Sequence, residues 1–536
     1  MNRYNKNNLW RFNMKTKNIS KIVAIILAIS IFLVSCGKNE NTSIDSGKEQ
    51  ADSFIYGLAG DPGNSVNVIT TSDRYGLMTI KALYSPLYMY NADGINYFLA
   101  ESMTQSEDKL TYTAKLREGV KWSDGEPFTA DDVVFTYEAM AKEENAGWAY
   151  SQLIFNGQSL KVEKVDEYTV NFTLPEISSP GIELLANIFI MPKHIYEGET
   201  NFENSEKNAT PVGTGPYKLA EYKAGQYVKF EKNENYFLGE PNIDTVIFRI
   251  IPDANTAKLA LQKGEINALS VQSSDLTDLL KTDSLTDYKY EEGRVAYLVI
   301  NSNSEKLKDK KVRQAIFYAM NREDLINAAF GSKEFADESY TFLPNGNPFH
   351  TDDVEKYDFD QEKAKKLLEE AGVSNLTVKL GYPSNDVPSQ KEATIIQQNL
   401  KAVGINVELA GGEGTAISQQ MRKEDSDYDM FLGGYIMGID PDTFSPLFTS
   451  ESNANYSHYK DAELDDLFNK GRVETDQAKR KEIYDSIQQR IQDNAFFYPM
   501  LENKRIVVMS SSLSGIEEAK LVPVYTFEDM SKLNFK

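Results

Sequence analysis

An α/β fold divided into more than one lobe follows from three features of the sequence. The chain has 536 residues, more than one ordinary core fills at roughly 150 residues per domain. Residues 357–409 run in the order helix, strand, helix, strand, which implies a parallel strand pair with a right-handed crossover. Residues 96–209 instead carry short alternating patterns around one helix, the mark of a separate lobe.

The first strand is read at 54–58 (FIYGL), and the turn-rich Ala59-Gly60-Asp61-Pro62-Gly63 ends it. In the second lobe, Leu110, Tyr112, Ala114 and Leu116 alternate with polar residues, as a half-buried strand requires. Ser123-Asp124-Gly125 turns the chain, and residues 129–132 (TADD) cap a helix beginning at Val133. Tyr168, Val170, Phe172 and Leu174 give another alternating strand after one near Val162. Asp309, Val312, Ala315, Ile316 and Ala319 describe a capped amphipathic helix. Asp360 is a good N-cap, Ala364, Leu367, Leu368 and Ala371 share one face, and Gly372 suits the C-terminal stop. Strand 376–380, a helix over 389–403 stopped by Gly404, and strand 405–409 follow. Ligands bind such sheets at the carboxyl ends of the strands.

Composition removes several function classes. The formal charge is −23, whereas phosphate binding needs clustered Lys and Arg, so nucleic acid is no partner. One cysteine, Cys36, permits no intrachain disulfide and no thiolate metal cage. His194, His350 and His458 lie far apart and outside any metal-binding spacing, so no cofactor or metal is expected. There is no GxSxG, and no nucleophile with an adjacent base, so no enzyme is expected. Gly213-Thr214-Gly215-Pro216 lacks the Lys-Ser/Thr ending of a phosphate loop and reads as a tight turn.

Near the N-terminus, Lys15, Lys17 and Lys21 precede an apolar run over 22–34, too short to span a hydrocarbon core that needs about 20 residues. The run meets Leu33-Val34-Ser35-Cys36-Gly37. This resembles the bacterial lipoprotein signal, which implies removal of residues 1–35 and acylation of Cys36; Met14 reads as the better start. Cleavage deletes six positive charges and takes −23 to −29. Residues 36–51 are polar and aperiodic, a flexible tether. The implied location is the outer face of the bacterial cell membrane, held by lipid.

Four stretches together resemble the peptide and nickel class of extracytoplasmic solute-binding proteins of ABC importers: 99–135 with its KLREGVKWSDGEPFTADDV core, 211–218 (PVGTGPYK), 309–324 (DKKVRQAIFYAMNRED), and the helix ending LLEEAG with 427–444 beyond it. The resemblance implies a periplasmic-binding-protein-like α/β fold (class II, cluster C), two main lobes joined by hinge strands plus an extra lobe. Lobe I would be 52–95 with 210–300 and 502–536, lobe II 96–209, and lobe III 301–501. Strand 296–300 and segment 497–501 would cross between lobes. The implied protein is a monomer that delivers oligopeptides to a membrane permease and its ATPase subunits. The alternative is another solute on the same fold, such as a nickel chelate, a sugar oligomer or an opine.

In peptide-binding relatives an extended ligand lies between the lobes and pairs with their backbone. The corresponding segment here is 429–442 (DMFLGGYIMGIDPD). Gly433 and Gly434 would let another backbone approach, and Tyr435 would offer an aromatic wall with a polar tip. Gly60 and Asp61 resemble the opposing loop. Relatives place an Asp for the ligand's ammonium where this chain has Met437. Asp440 or Asp61 would then substitute, or the backbone alone would hold the ligand.

Overall fold

Two long antiparallel strands, Leu285–Ile300 and Phe497–Ser510, form the middle of an eleven-stranded sheet in the computed structural model, which describes residues 53–536 other than 64, 65, 92, 156 and 437. The signal segment, Cys36, the tether and Met437 lie outside the described residues. To one side of the two long strands lie Ala268–Val271, Ser53–Leu58, Thr245–Ile250, Tyr227–Lys232 and Tyr217–Lys223; to the other lie Met430–Ile436, Thr377–Pro383 and Asn406–Gly412. The long strands therefore belong to both halves. One end of their ladder joins the first group through Ala268–Val271, and the other joins Met430–Ile436.

Their ladder shifts register twice near the middle, at 291–295 of the first strand and, by one residue, at Met500 of the second. Glu291 faces Lys504 and Val295 faces Glu502, so four steps on one strand match two on the other. Glu292, Gly293 and Arg294 occupy this bulge, and Gly293 has φ +65°, a conformation that favours glycine. A bulge bends the strand that carries it and weakens the local ladder, which makes this the natural place for the sheet to flex.

Strict alternation beyond the bulge builds two cores. Ala296, Leu298 and Ile300 face one cluster with Met430, Leu432, Val378 and Leu380. Val295, Tyr297 and Val299 face the opposite cluster with Phe431, Tyr435, Phe444 and Phe497. Helices cover both faces, as a sheet buried on both sides requires. Thr377–Pro383 and Asn406–Gly412 pair in parallel around helix Val387–Ala402, the crossover expected from sequence. Asp360 and Asp309 cap helices Gln361–Glu370 and Lys310–Tyr318, and Gly372 sits at φ +67°.

Residues 94–209 contain a four-stranded antiparallel sheet, Ala100–Gln105, Thr111–Leu116, Thr169–Thr173 and Lys161–Asp166. Thr129 and Asp132 form a capping box on helix Ala130–Met140, so the Asp132 carboxylate serves the helix terminus, while Asp131 meets Lys164 at 2.6 Å. The apolar core of this unit continues into that of Ser53–Leu58 and of residues 513–533.

The 213–216 stretch differs from the tight turn expected of it. Neither glycine adopts positive φ. Instead the segment lies flat on other backbone: the Gly215 amide donates to the Leu83 carbonyl at 2.9 Å, and the Ser123 amide donates to the Gly213 carbonyl at 2.9 Å. A Cβ on Gly213 would stand 1.8 Å from the Leu83 oxygen. Gly213→Ala is expected to cost about 2–3 kcal/mol, the upper part of the overpacking range, because backbone must move to admit the methyl group. Urea unfolding beside the unaltered chain measures it.

Candidate functional site

The bulge and the strand beside it hold the site. Met430–Ile436 pairs along its whole length with residues 294–300, but on its other edge only Met430 and Phe431 pair, with Leu380 and Gly381. From Leu432 to Ile436 that second edge has no ladder partner among the described residues. Gly433 and Gly434 lie there and line a cavity of about 200 Å³ with Tyr297, Pro383, Ser418 and Tyr456. A larger cavity of about 400 Å³ opens between Tyr56, Arg74 and Tyr75 on one side of the bulge and Pro388 on the other. Arg294 and Asp386 line both.

Charges at this junction are mostly paired. Arg74 meets Glu292 at 2.6 Å, with Arg505 3.8 Å from the same carboxylate, and Lys258 meets Asp275 at 2.7 Å. Asp386 is turned toward its own helix, where Oδ2 accepts from the Ser389 amide at 3.0 Å and hydroxyl at 2.6 Å. Glu392 on that helix is buried, and its Oε1 has no hydrogen-bond partner. Burial pushes its carboxyl up to about 7, against the pull of the Arg294 charge.

The residues singled out from sequence are distributed unevenly. Gly433 and Gly434 line the smaller cavity. Added carbon on Gly433 would meet the Tyr297 hydroxyl at 2.8 Å, and on Gly434 the Arg294 guanidinium at 2.4 Å, so both glycines first make room for neighbouring side chains. Gly60 does the same for Tyr75, which lines the larger cavity. Asp61 is exposed and committed to its own surroundings, accepting from the Gly63 amide at 2.8 Å, the Gly225 amide at 2.7 Å and the Tyr222 hydroxyl at 3.0 Å. Desolvation opposes its charge, but these bonds hold its carboxyl below the usual range.

Tyr435 is no cleft wall: its ring is buried against Tyr297 and Phe444, and its hydroxyl donates to the Phe342 carbonyl at 2.9 Å. Asp440 is buried as well. It takes a bidentate bond from Arg480, 2.6 Å to Oδ2 and 2.7 Å to Oδ1, and caps the short helix Pro441–Leu447. Its charge is thus already matched by the Arg480 guanidinium. The residues missed from sequence are Arg294, Glu292 and Asp386. The available signal was Glu291-Glu292-Gly293-Arg294, a charged and flexible interruption directly before the apolar VAYLVI run.

A contact also joins residues of 94–209 to the loop after Met430–Ile436. Glu183 accepts from the Ile439 amide at 2.6 Å and the Asp440 amide at 2.5 Å. Nearby, the Ser179 amide donates to the Arg472 carbonyl at 2.8 Å, and its hydroxyl donates to the Glu474 carbonyl.

A sheet whose two long strands slip register at its middle, with cavities meeting at the break, defines a protein built to enclose a small solute. The chain belongs to the bacterial extracellular solute-binding proteins, family 5, whose middle-region model matches residues 94–456. It is 29% identical to the oligopeptide-binding protein AppA of Bacillus subtilis over 96% of this chain and 98% of that one. The solved structure of the ABC transporter substrate-binding protein CtaP of Listeria monocytogenes is 41% identical with a TM-score of 0.87, covering 90% of this chain and 99% of that one. Bacillus subtilis AppA, solved in complex with a nonapeptide, gives a TM-score of 0.75 at 28% identity over 90% and 99% of the two chains. As a member of this extracellular family the chain binds solute and is not an enzyme. Among the described residues no helix is long and apolar enough to cross a membrane.

Proposed function

We propose that this chain is the lipid-anchored receptor of an ABC importer and captures oligopeptides in the cavities that meet at the bulge. The observation that carries the reading is the unpaired edge of Met430–Ile436 at Gly433 and Gly434, a row of backbone groups that an extended peptide can complete as an added strand. The named ligands of the AppA relatives support it. In this reading residues 1–35 are removed, Cys36 is acylated, and 36–51 tether the folded part outside the cell membrane. Lobe I comprises 52–95, 210–300 and 502–536, lobe II 96–209 and lobe III 301–501. The bulge at 292–294 is the hinge, and the closed monomer docks on its permease and ATPase subunits.

The full mature chain, incubated with a random penta- to nonapeptide library and re-isolated, is expected to retain peptides identifiable by mass spectrometry. Fully backbone-N-methylated versions of the retained peptides are expected to lose binding, because they no longer donate to a strand edge. Indifference to every peptide, with retention of a chelate, sugar or opine instead, overturns the peptide assignment.

A further inference from the structure

We propose that Arg294 is the seat of a carboxylate on the bound solute, which deepens the peptide reading and rests on it. The guanidinium lines both cavities, and Gly434 leaves the space in which it lies. Its neighbours Arg74, Arg505 and Lys258 each have a carboxylate within 4 Å. Arg294 has none among the described residues; its bond runs from Nη1 to the Asn503 amide oxygen at 3.1 Å. That leaves the planar fork of donors that suits a carboxylate and makes arginine its usual receptor.

The wider charge pattern agrees. Arg74, Lys258, Arg294, Lys504 and Arg505 line the larger cavity against Asp275, Glu292 and Asp386. Of these cations Arg74, Lys258, Arg505 and Lys504 each have a carboxylate within 4 Å, Lys504 meeting Asp337 at 3.3 Å, so Arg294 is the lining cation left to receive a negative group. Asp386 gives no relief, being held by Ser389. Buried Glu392, with Oε1 unpartnered and its carboxyl near 7, does not neutralise the guanidinium firmly.

The carboxylate can come from a peptide's C-terminus or from an acidic side chain, and a four-library experiment separates the two. Hexapeptide libraries are prepared with free or amidated C-termini, each with or without Asp and Glu, and retention on the full mature chain is compared. The amidated, acid-free library is expected to be retained roughly tenfold less than the best of the others. Whichever of the two single-carboxylate libraries keeps the advantage identifies the source. In Arg294→Gln the carboxylate-bearing libraries are expected to fall to whatever level the amidated, acid-free library shows in the same variant; Arg294→Lys is expected to keep part of the advantage, and thermal unfolding checks that both variants fold. Equal retention of all four libraries, or a preference that survives Arg294→Gln, overturns the carboxylate seat and leaves peptide binding standing. No retention from any library overturns both.

Discussion

Asp440→Ala is expected to destabilise the fold by about 3–5 kcal/mol, the cost of leaving one member of a buried ion pair without its partner. Arg480 is only 1% exposed and Asp440 9%. The guanidinium gives both terminal nitrogens to Asp440 and its Nε to the Gly471 carbonyl at 2.8 Å. Removing the carboxylate buries an uncompensated charge beside Asp442, which is already engaged by Arg472 at 2.9 Å. Replacing both partners, as Asp440→Ala with Arg480→Met, is expected to recover most of the loss, because the desolvation of two charges disappears along with their attraction. Urea unfolding of the two single variants and the double variant reads all three energies. If Asp440→Ala unfolds like the parent yet loses ligand, then Asp440 serves the guest and the structural assignment is wrong.

That contrast explains what the sequence made legible. Local signals carried well: Asp309 and Asp360 as caps, Gly372 at positive φ, and the crossover between Thr377–Pro383 and Asn406–Gly412 all depend on residues within one helix or turn of each other. Of the residues named from sequence, Gly433 and Gly434 line a cavity, where backbone shape was signal enough to mark them. Asp440 stood out as an acid beside a loop, but its partner lies 40 residues on, in helix Gln477–Asn494, and no local pattern links them. Arg294 depends on a bulge that exists only once Leu285–Ile300 pairs with a strand about 200 residues away; its Asn503 partner is separated by 209. Gly213 was readable as special but not as to why, since close approach to Leu83 and an unusual φ leave the same residue in the sequence.

Glu183→Ala is expected to weaken peptide binding about 10- to 100-fold, chiefly through faster release, because Glu183 is the clasp between the 94–209 unit and the loop that ends the binding strand. Each of the two amide hydrogen bonds to the protonated carboxyl contributes about 0.5–1.5 kcal/mol net, and removing the acceptor leaves two donors unmet. Gly438 is what permits the approach: a Cβ there would stand 1.7 Å from Glu183 Oε1. The clasp also titrates. Desolvation first, then the Asp440 charge, raise the Glu183 carboxyl to about 7, against the two amides and Arg480; Tyr88 and Tyr90 are the other titratable groups beside it. Opened to water, the same group returns to about 4.3. In the proposed closure Glu183 takes up a proton: its contribution is complete below about pH 4.3 and is lost as pH rises through about 7, so binding is expected to tighten as pH falls from about 8 to 5. Glu183→Gln keeps the shape and one acceptor but has nothing to titrate, so its affinity is expected to lie flat across that interval. Calorimetric titration with one retained peptide at several pH values tests both; a pH slope that persists in Glu183→Gln places the proton on another group, and an undiminished affinity in Glu183→Ala removes the clasp from the closing mechanism.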